Sequence, residues 1–75
     1  MLTSSDIVAE TRRLLNQQVI GVSTVAADGN TMIYISDGTG LIATMKATDA
    51  DLSLPMIDFS RTILAPALKG GRHAN

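Results

Sequence analysis

The stretch most suggestive of chemistry is DGTG, residues 37–40, which lies between two apolar segments. Glycine-rich loops can bind phosphate through their backbone N–H groups. A phosphate-binding P-loop, however, has a lysine and a serine or threonine after its last glycine and then continues as a helix. Here Leu41 and Ile42 follow and open an apolar segment typical of a strand. The spacing therefore favours a hairpin bend, in which Gly38 or Gly40 should adopt a positive φ.

A second acidic stretch, DADLS at residues 49–53, is similar to the opening of a calcium-binding loop. Such a loop needs glycine at its sixth position and a bidentate glutamate at its twelfth. The chain has Leu54 and Ser60 at these positions. We therefore expect no calcium site, and we interpret the segment as a solvated connector before a helix, whose N-terminus favours negative charge.

Groups for catalysis and for metal binding are scarce in this sequence. The chain has no cysteine, and its single histidine, His73, lies near the C-terminus with no carboxylate at a spacing that would orient it as a base. One histidine without cysteine is a poor basis for a zinc site. We predict a protein that is not an enzyme and that has no metal and no cofactor.

The length of the chain limits its stability as a monomer. A chain of 75 residues forms one domain that buries only about 60% of the surface its unfolded form exposes. Small domains usually gain further stability from disulfides, a metal or a partner chain, and only the last is open here. The apolar content of 45% comes almost entirely from aliphatic residues. We therefore predict a homo-dimer or larger oligomer, with another protein as a further candidate partner.

The net charge gives no overall attraction to nucleic acid, and the hydropathy of the chain argues against a membrane-bound protein. Six Lys and Arg stand against seven Asp and Glu, for a net charge of -1, so no global field attracts polyanions. The N-terminus has neither the basic start nor the apolar region of a signal peptide. No segment approaches the ~20 apolar residues of a membrane span. We expect a soluble, cytoplasmic protein that does not bind membranes.

The first element predicted is an amphipathic helix. Thr3 and Asp6 have the spacing of a capping box, which indicates a helix that begins here. Apolar or small residues recur at one-turn spacing along one side of it. They are Ile7, Val8, Thr11, Leu14 and Leu15.

Three strands follow, separated by two Asp-Gly turns, which is a strong signal for hairpins. The alternation predicts that Ile33 and Ile35 face one way and that Met32 and Tyr34 face the other. In the third strand it places Leu41 on the same face as Ala43 and Met45. The first strand, residues 19–27, is rich in β-branched residues and has no charge or proline before Asp28. An edge strand without such protection tends to pair with another strand.

A second amphipathic helix is predicted after residue 53, and Pro66 should make it kink or stop near Leu64. Its apolar side provides core or interface, and our candidate interface residues lie there. They are Met56, Ile57, Ile63 and Leu64. The predicted fold is thus α+β with the order α-β-β-β-α, a three-stranded antiparallel meander with flanking helices. Residues 1–70 form the single domain, and residues 71–75 form a flexible tail.

Residues 21–46, GVSTVAADGNTMIYISDGTGLIATMK, resemble the first three strands of OB-fold nucleic-acid-binding domains, in which a DGTG-type turn often joins the second and third strands. The resemblance implies binding to single-stranded nucleic acid, which needs stacking aromatic residues and basic groups. The fourth and fifth strands of that barrel have no room in this chain, so closure would need another chain. The residues available for such contacts are Arg12, Arg13, Tyr34, Lys46 and Arg61.

Two functions from different classes follow from these observations. The first is a non-enzymatic protein–protein interaction or assembly module, such as a structural subunit, an adaptor or an inhibitor, that acts through a homo-oligomeric surface. The alternative is an OB-like protein that binds single-stranded nucleic acid. The poor supply of aromatic and basic residues on the predicted strands favours the first.

Overall fold

A computed structural model describes residues 1–71 and shows one helix, then three antiparallel strands in one sheet, then a helical C-terminal region. The elements are α1 Ser4–Leu15, β1 Gly21–Ala27, β2 Asn30–Asp37, β3 Gly40–Thr48, α2 Asp49–Leu52, α3 Met56–Phe59, a π-helical segment Ser60–Leu64 and α4 Ala65–Gly71. The predicted order α-β-β-β-α is confirmed. Of the predicted tail, Gly71 ends α4, and residues 72–75 lie outside the described residues.

Helix α1 begins at the predicted capping box. The Asp6 N–H donates to Thr3 Oγ1 at 3.2 Å, and the Thr3 N–H donates to the Asp6 carboxylate at 2.8 Å. This backbone hydrogen bond from Thr3 holds the pKa of Asp6 below its usual value. The helix ends at Asn16, which adopts a left-handed φ of 54° and donates its N–H to the Arg12 carbonyl. Asparagine tolerates this conformation better than most residues.

The sheet has the strand order β1-β2-β3, with β2 in the centre. Asp28 and Gly29 join β1 to β2 with φ values of 51° and 78°, the two positive angles that a type I′ hairpin turn requires. Ile33 and Ile35 of β2 are completely buried, whereas Met32 and Tyr34 on the opposite face are half-buried. The predicted facing of the central strand is therefore confirmed. We call the face of Ile33 the inner face and the face of Tyr34 the outer face.

The predicted alternation of β3 is wrong at Leu41. Ser36 pairs with Leu41 and the preceding Ile35 pairs with Ala43, so Ile42 is an extra residue in β3. Such a β-bulge changes which side chains point to each face. As a result Ile42, Ala43 and Met45 are all buried, while Leu41 is 63% exposed on the outer face.

The connector after β3 contains a short helix, α2, that we did not predict. Thr48 Oγ1 accepts from the Asp51 N–H at 3.1 Å, and the Asp51 carboxylate accepts from the Thr48 N–H at 2.9 Å. This T-x-x-D capping box repeats the pattern of Thr3 and Asp6 at the start of α1. Asp51 therefore caps a helix, and the interpretation of residues 49–53 as a solvated connector was incomplete.

The helical backbone does not stop near Leu64 but continues to Gly71. The Ala65 N–H donates to the Ser60 carbonyl, five residues earlier, which gives the wide turn of a π-helix. In a regular α-helix, the ring of Pro66 would clash with the carbonyl four residues before it. The wide turn directly before Pro66 accommodates the ring, so the helix does not stop there.

One core joins the inner face of the sheet to the helices. It contains Ile7 from α1, Ile33 and Ile35 from β2, and Phe59 and Leu64 from the C-terminal helical region. Phe59 is the one aromatic residue in it and is completely buried. All helical elements that contribute to this core therefore lie on the inner face.

Thr11 of α1 is buried in the core, and its hydroxyl has no hydrogen-bond partner. An unsatisfied buried polar group costs about 1–3 kcal/mol.

We expect Thr11→Val, which keeps the shape and removes the hydroxyl, to raise the free energy of unfolding by about 1 kcal/mol. Urea unfolding followed by circular dichroism measures this change. Thr11→Ser is the control, because it keeps the hydroxyl and loses a buried methyl group, and it should be destabilising. A loss of stability in Thr11→Val would contradict the assignment.

Candidate interaction surface

The strand β1 forms one edge of the sheet, and it has little protection from pairing. All its residues except Val22 are exposed, and Val25 is 52% exposed. The strand contains no charged residue and no proline. Within residues 1–71 it pairs only with β2, so one row of its backbone groups has no strand partner. Exposed edges of this kind readily accept another strand.

The turn geometry shows which backbone groups of β1 point away from β2. In the β1–β2 turn, Ala27 and Asn30 are the first and fourth residues, so the Ala27 carbonyl faces β2. Hydrogen-bonded and non-hydrogen-bonded residues alternate along an antiparallel pair. The N–H and C=O groups of Ala27, Val25 and Ser23 therefore face β2, and those of Ala26, Thr24 and Val22 face outward from the sheet.

The strand β3 forms the other edge, and it has two protecting features that β1 lacks. The bulge at Ile42 interrupts its regular ladder, and Lys46 places an exposed charge on it. Each edge strand also has a helix packed against it, α1 on β1 and α4 on β3. A shallow groove of about 380 Å³ between α4 and β3 is lined by Ala43, Pro66 and Ala67 among others. Bulges, lysines and covering helices are the usual means by which natural proteins prevent edge pairing. The two edges of this sheet are therefore unequal.

The outer face carries apolar side chains beside polar ones. The pairing places Val25, Met32 and Lys46 in one row across the sheet and Ser23, Tyr34 and Thr44 in the next. Met32 and Tyr34 in the central strand are only half-buried, and the residues beside them on β1 and β3 are exposed. The outer face is thus an accessible surface of mixed character.

The four candidate interface residues differ in how far the chain itself covers them. Leu64 is completely buried in the core. Met56 and Ile63 are half-buried and pack against the core. Ile57 is 69% exposed and is the member of this set with most surface to offer a partner.

Glu10, Arg13 and Arg61 lie around a cleft between α1 and the C-terminal helical region. Arg13 donates to the Glu10 carboxylate through two nitrogens, at 3.0 and 2.6 Å. The Arg13 hydrogen bond holds the pKa of Glu10 below its usual value, against an opposing effect of burial, and Glu10 in turn raises the pKa of Arg13. Arg61 lies 3.5 Å from a carboxylate oxygen of Asp58. Both arginines thus have carboxylate partners within the chain.

The candidate nucleic-acid contacts do not form one basic surface. Tyr34 and Lys46 share the outer face of the sheet, on neighbouring rows of β2 and β3. Arg12 and Arg13 lie on α1, and Arg61 lies in the π-helical segment, with both elements on the inner side. The structure brings Tyr34 and Lys46 together and separates them from the three arginines.

The DGTG stretch forms the hairpin bend that its spacing predicts. Gly38 and Thr39 are the two loop residues between β2 and β3. The Thr39 N–H donates to Asp37 Oδ1 at 2.7 Å, and Gly40 has a φ of 122°. The expected positive φ is therefore at Gly40.

The two glycines of this bend give a direct test of that geometry. A side chain at Gly40 would be strained by the backbone angle, although nothing lies within 4 Å of the position it would occupy. Gly38 has equal space and an ordinary φ. We expect Gly40→Ala to lower the free energy of unfolding by more than about 1 kcal/mol and Gly38→Ala to change it by less than about 0.5 kcal/mol. Thermal or urea unfolding measures both, and equal effects would contradict the assignment.

Within residues 1–71, no group of three or more His, Cys, Asp or Glu side chains could hold a metal ion. No helix in the same part of the chain has the length and apolar character needed to cross a membrane. Sequence reasoning identified the unprotected first strand. It missed the bulge that protects β3, because a bulge depends on how distant segments pack.

Comparisons of the chain with protein-family models, with curated proteins and with solved structures find no significant match.

Proposed function

We propose that this protein is a non-enzymatic protein–protein interaction and assembly module that acts as a homo-oligomer. The observation that carries this proposal is the difference between the two sheet edges. Both edge strands have a helix packed against them, but β1 is exposed and uncharged, whereas β3 has a bulge and an exposed lysine. An edge left unprotected beside a protected one is expected where pairing is useful to the protein.

The size of the core supports the same proposal. Most of the buried side chains are aliphatic, and Phe59 is the single aromatic residue among them. The net stability of so small a domain is close to the limit for folding. Association adds stability by mass action, because a partner that binds only the folded chain shifts the equilibrium toward it.

Sedimentation equilibrium at micromolar concentration tests this proposal. We expect a mass at least twice the 7.9 kDa of one chain, and a melting temperature that rises with protein concentration because dissociation accompanies unfolding. A folded species of 7.9 kDa at all concentrations, with a melting temperature independent of concentration, would overturn the proposal.

Binding to single-stranded nucleic acid remains the alternative. Its support is the placement of Tyr34 and Lys46 on one accessible face. One aromatic ring and one lysine are few for a surface that must stack bases and follow a phosphate backbone, so we rank this function second.

A further inference from the structure

We infer that two copies of the chain pair through their β1 strands in antiparallel orientation, with the two-fold axis at Thr24. The product is a closed dimer with a continuous six-stranded sheet, in which Arg12 of each copy faces Asp28 of the other. This inference rests on the proposed function and specifies the surface and the register of the assembly.

The outward backbone groups of β1 determine what kind of partner can bind at this edge. Val22, Thr24 and Ala26 direct their N–H and C=O groups away from β2, as the turn geometry shows. A row of alternating donors and acceptors at strand spacing is complementary to another extended backbone. With Thr24 opposite Thr24, these three residues of each copy would form ~6 inter-chain hydrogen bonds.

This register is the one that pairs the whole of β1 with itself. Val22 then lies opposite Ala26, Ser23 opposite Val25, and Gly21 opposite Ala27. All these residues are small or β-branched and uncharged, so no like charges oppose one another. A shift in either direction leaves residues of β1 without a partner.

The surface beside Val22 explains why a second copy fits better than an unrelated strand. Val8, Ala9 and Arg12 of α1 line a shallow groove of about 340 Å³ with Val22 on the inner face. In the proposed register the small side chain of Ala26 of the second copy enters this groove. Contacts with α1 thereby enlarge an interface that edge pairing alone would leave small.

Charge complementarity supports the same arrangement. The Arg12 Nε donates to the Gln18 carbonyl at 3.0 Å, which holds the guanidinium near the start of β1. In the proposed register Asp28 of the second copy lies opposite Ile20, at this same end. Neither Arg12 nor Asp28 forms a salt bridge within residues 1–71. The two-fold axis produces the Arg12–Asp28 pair twice.

The protection of β3 explains why the assembly closes. A two-fold interface uses the same surface on both copies and leaves no β1 edge for a third. Growth of the sheet would need β3, which the bulge at Ile42 and Lys46 protect. The expected product is a dimer and not a filament.

Single-cysteine variants of this cysteine-free chain test the register. In the proposed dimer, position 24 lies ~5.5 Å from its counterpart between Cα atoms, within the range of a disulfide. Val22 lies opposite Ala26 of the second copy, four residues from the Val22 of that copy, so the two positions 22 are ~13 Å apart. Under mild oxidation of the full chain, we expect Thr24→Cys to form covalent dimer at least tenfold faster than Val22→Cys. Thr44→Cys on β3 is the matched exposed control and should be equally slow.

A double-mutant cycle tests the charge pair. Asp28→Asn removes the charge and keeps a residue suited to the type I′ turn, and Arg12→Gln removes the other charge. Because the pair occurs twice, we expect each variant to weaken dimerisation about fivefold to thirtyfold in sedimentation experiments. The double variant should be no weaker than the weaker single variant. Independent effects that multiply in the double variant would overturn the pairing of Arg12 with Asp28.

The outcomes distinguish this inference from the proposed function. An oligomeric wild type in which Val22→Cys or Thr44→Cys cross-links as fast as Thr24→Cys overturns the register and leaves the assembly module in place. An oligomeric wild type in which none of the three cross-links overturns edge pairing through β1. A wild type that stays monomeric overturns both.

Discussion

Phe59→Ala should lower the free energy of unfolding by about 3–5 kcal/mol, the cost of removing a large aromatic side chain from a packed core. Phe59 is completely buried and is the single aromatic residue of the core cluster. A domain of this length has a total stability of about 4–11 kcal/mol. The loss is thus a large fraction of the total stability, and urea unfolding at 10 °C and 25 °C measures it.

Ile57→Ala is the matched control for this prediction, because it lies two residues away in the same helix and is 69% exposed. We expect it to change the free energy of unfolding by less than about 0.5 kcal/mol in the isolated chain. A larger loss that depends on protein concentration would place Ile57 in an interface. A loss below 1 kcal/mol for Phe59→Ala would show that the core does not depend on that ring, which contradicts the packing described here.

The sequence predicted the elements that short-range patterns specify. The capping box of Thr3 and Asp6 and the Asp28-Gly29 turn each depend on residues within a few positions of one another, so the local sequence contains the whole signal. The alternation of β2 needs one further assumption, that a helix covers a single face. The structure satisfies this assumption at Ile33 and Ile35.

The features that sequence reasoning missed depend on packing between distant segments. The bulge at Ile42 arises where β3 must bury two consecutive apolar residues beneath the helices, and strict alternation gives no sign of it. The π-helical segment before Pro66 is similar, because it lets a helix that packs against β3 continue past the proline. The second capping box, Thr48 and Asp51, is an exception, because it is a local repeat of T-x-x-D that the sequence contains.

For the candidate interaction surface too, the sequence predicts the local features and does not predict those that depend on packing. The lack of charge in β1 is evident from residues 21–27, and so is its expected tendency to pair. The protection of the opposite edge depends in part on the bulge at Ile42, which the alternation of residue types does not predict. The relation of Arg12 to the start of β1 depends on a hydrogen bond to Gln18 six residues away. The polarity of each segment could therefore be predicted from the sequence. The difference between the β1 edge and the β3 edge of the sheet could not.

Proline substitutions at neighbouring positions of β1 should have opposite consequences, and this is the most direct test of which side of the strand is unpaired. The Val25 N–H faces β2, and the Thr24 N–H faces away from it. Proline has no N–H and is tolerated in sheets only where that group faces solvent on an edge. Val25→Pro removes a hydrogen bond from the ladder and brings its ring against β2, so we expect loss of cooperative unfolding and of the β-sheet signal in circular dichroism.

Thr24→Pro should keep the fold and abolish association, because its ring occupies the centre of the edge that the second copy would use. We expect this variant to retain the β-sheet signal and a cooperative melt, and to sediment as a monomer with a melting temperature independent of concentration. Each proline fixes φ near -65°, so strain within the strand is similar in the two variants and their difference reports the direction of the N–H group. If both variants unfold, β1 cannot accept proline at either position and the assignment of its free side fails. If Thr24→Pro remains an oligomer of wild-type affinity, the chain associates through another surface, and the exposed Ile57 on α3 becomes the first position to substitute.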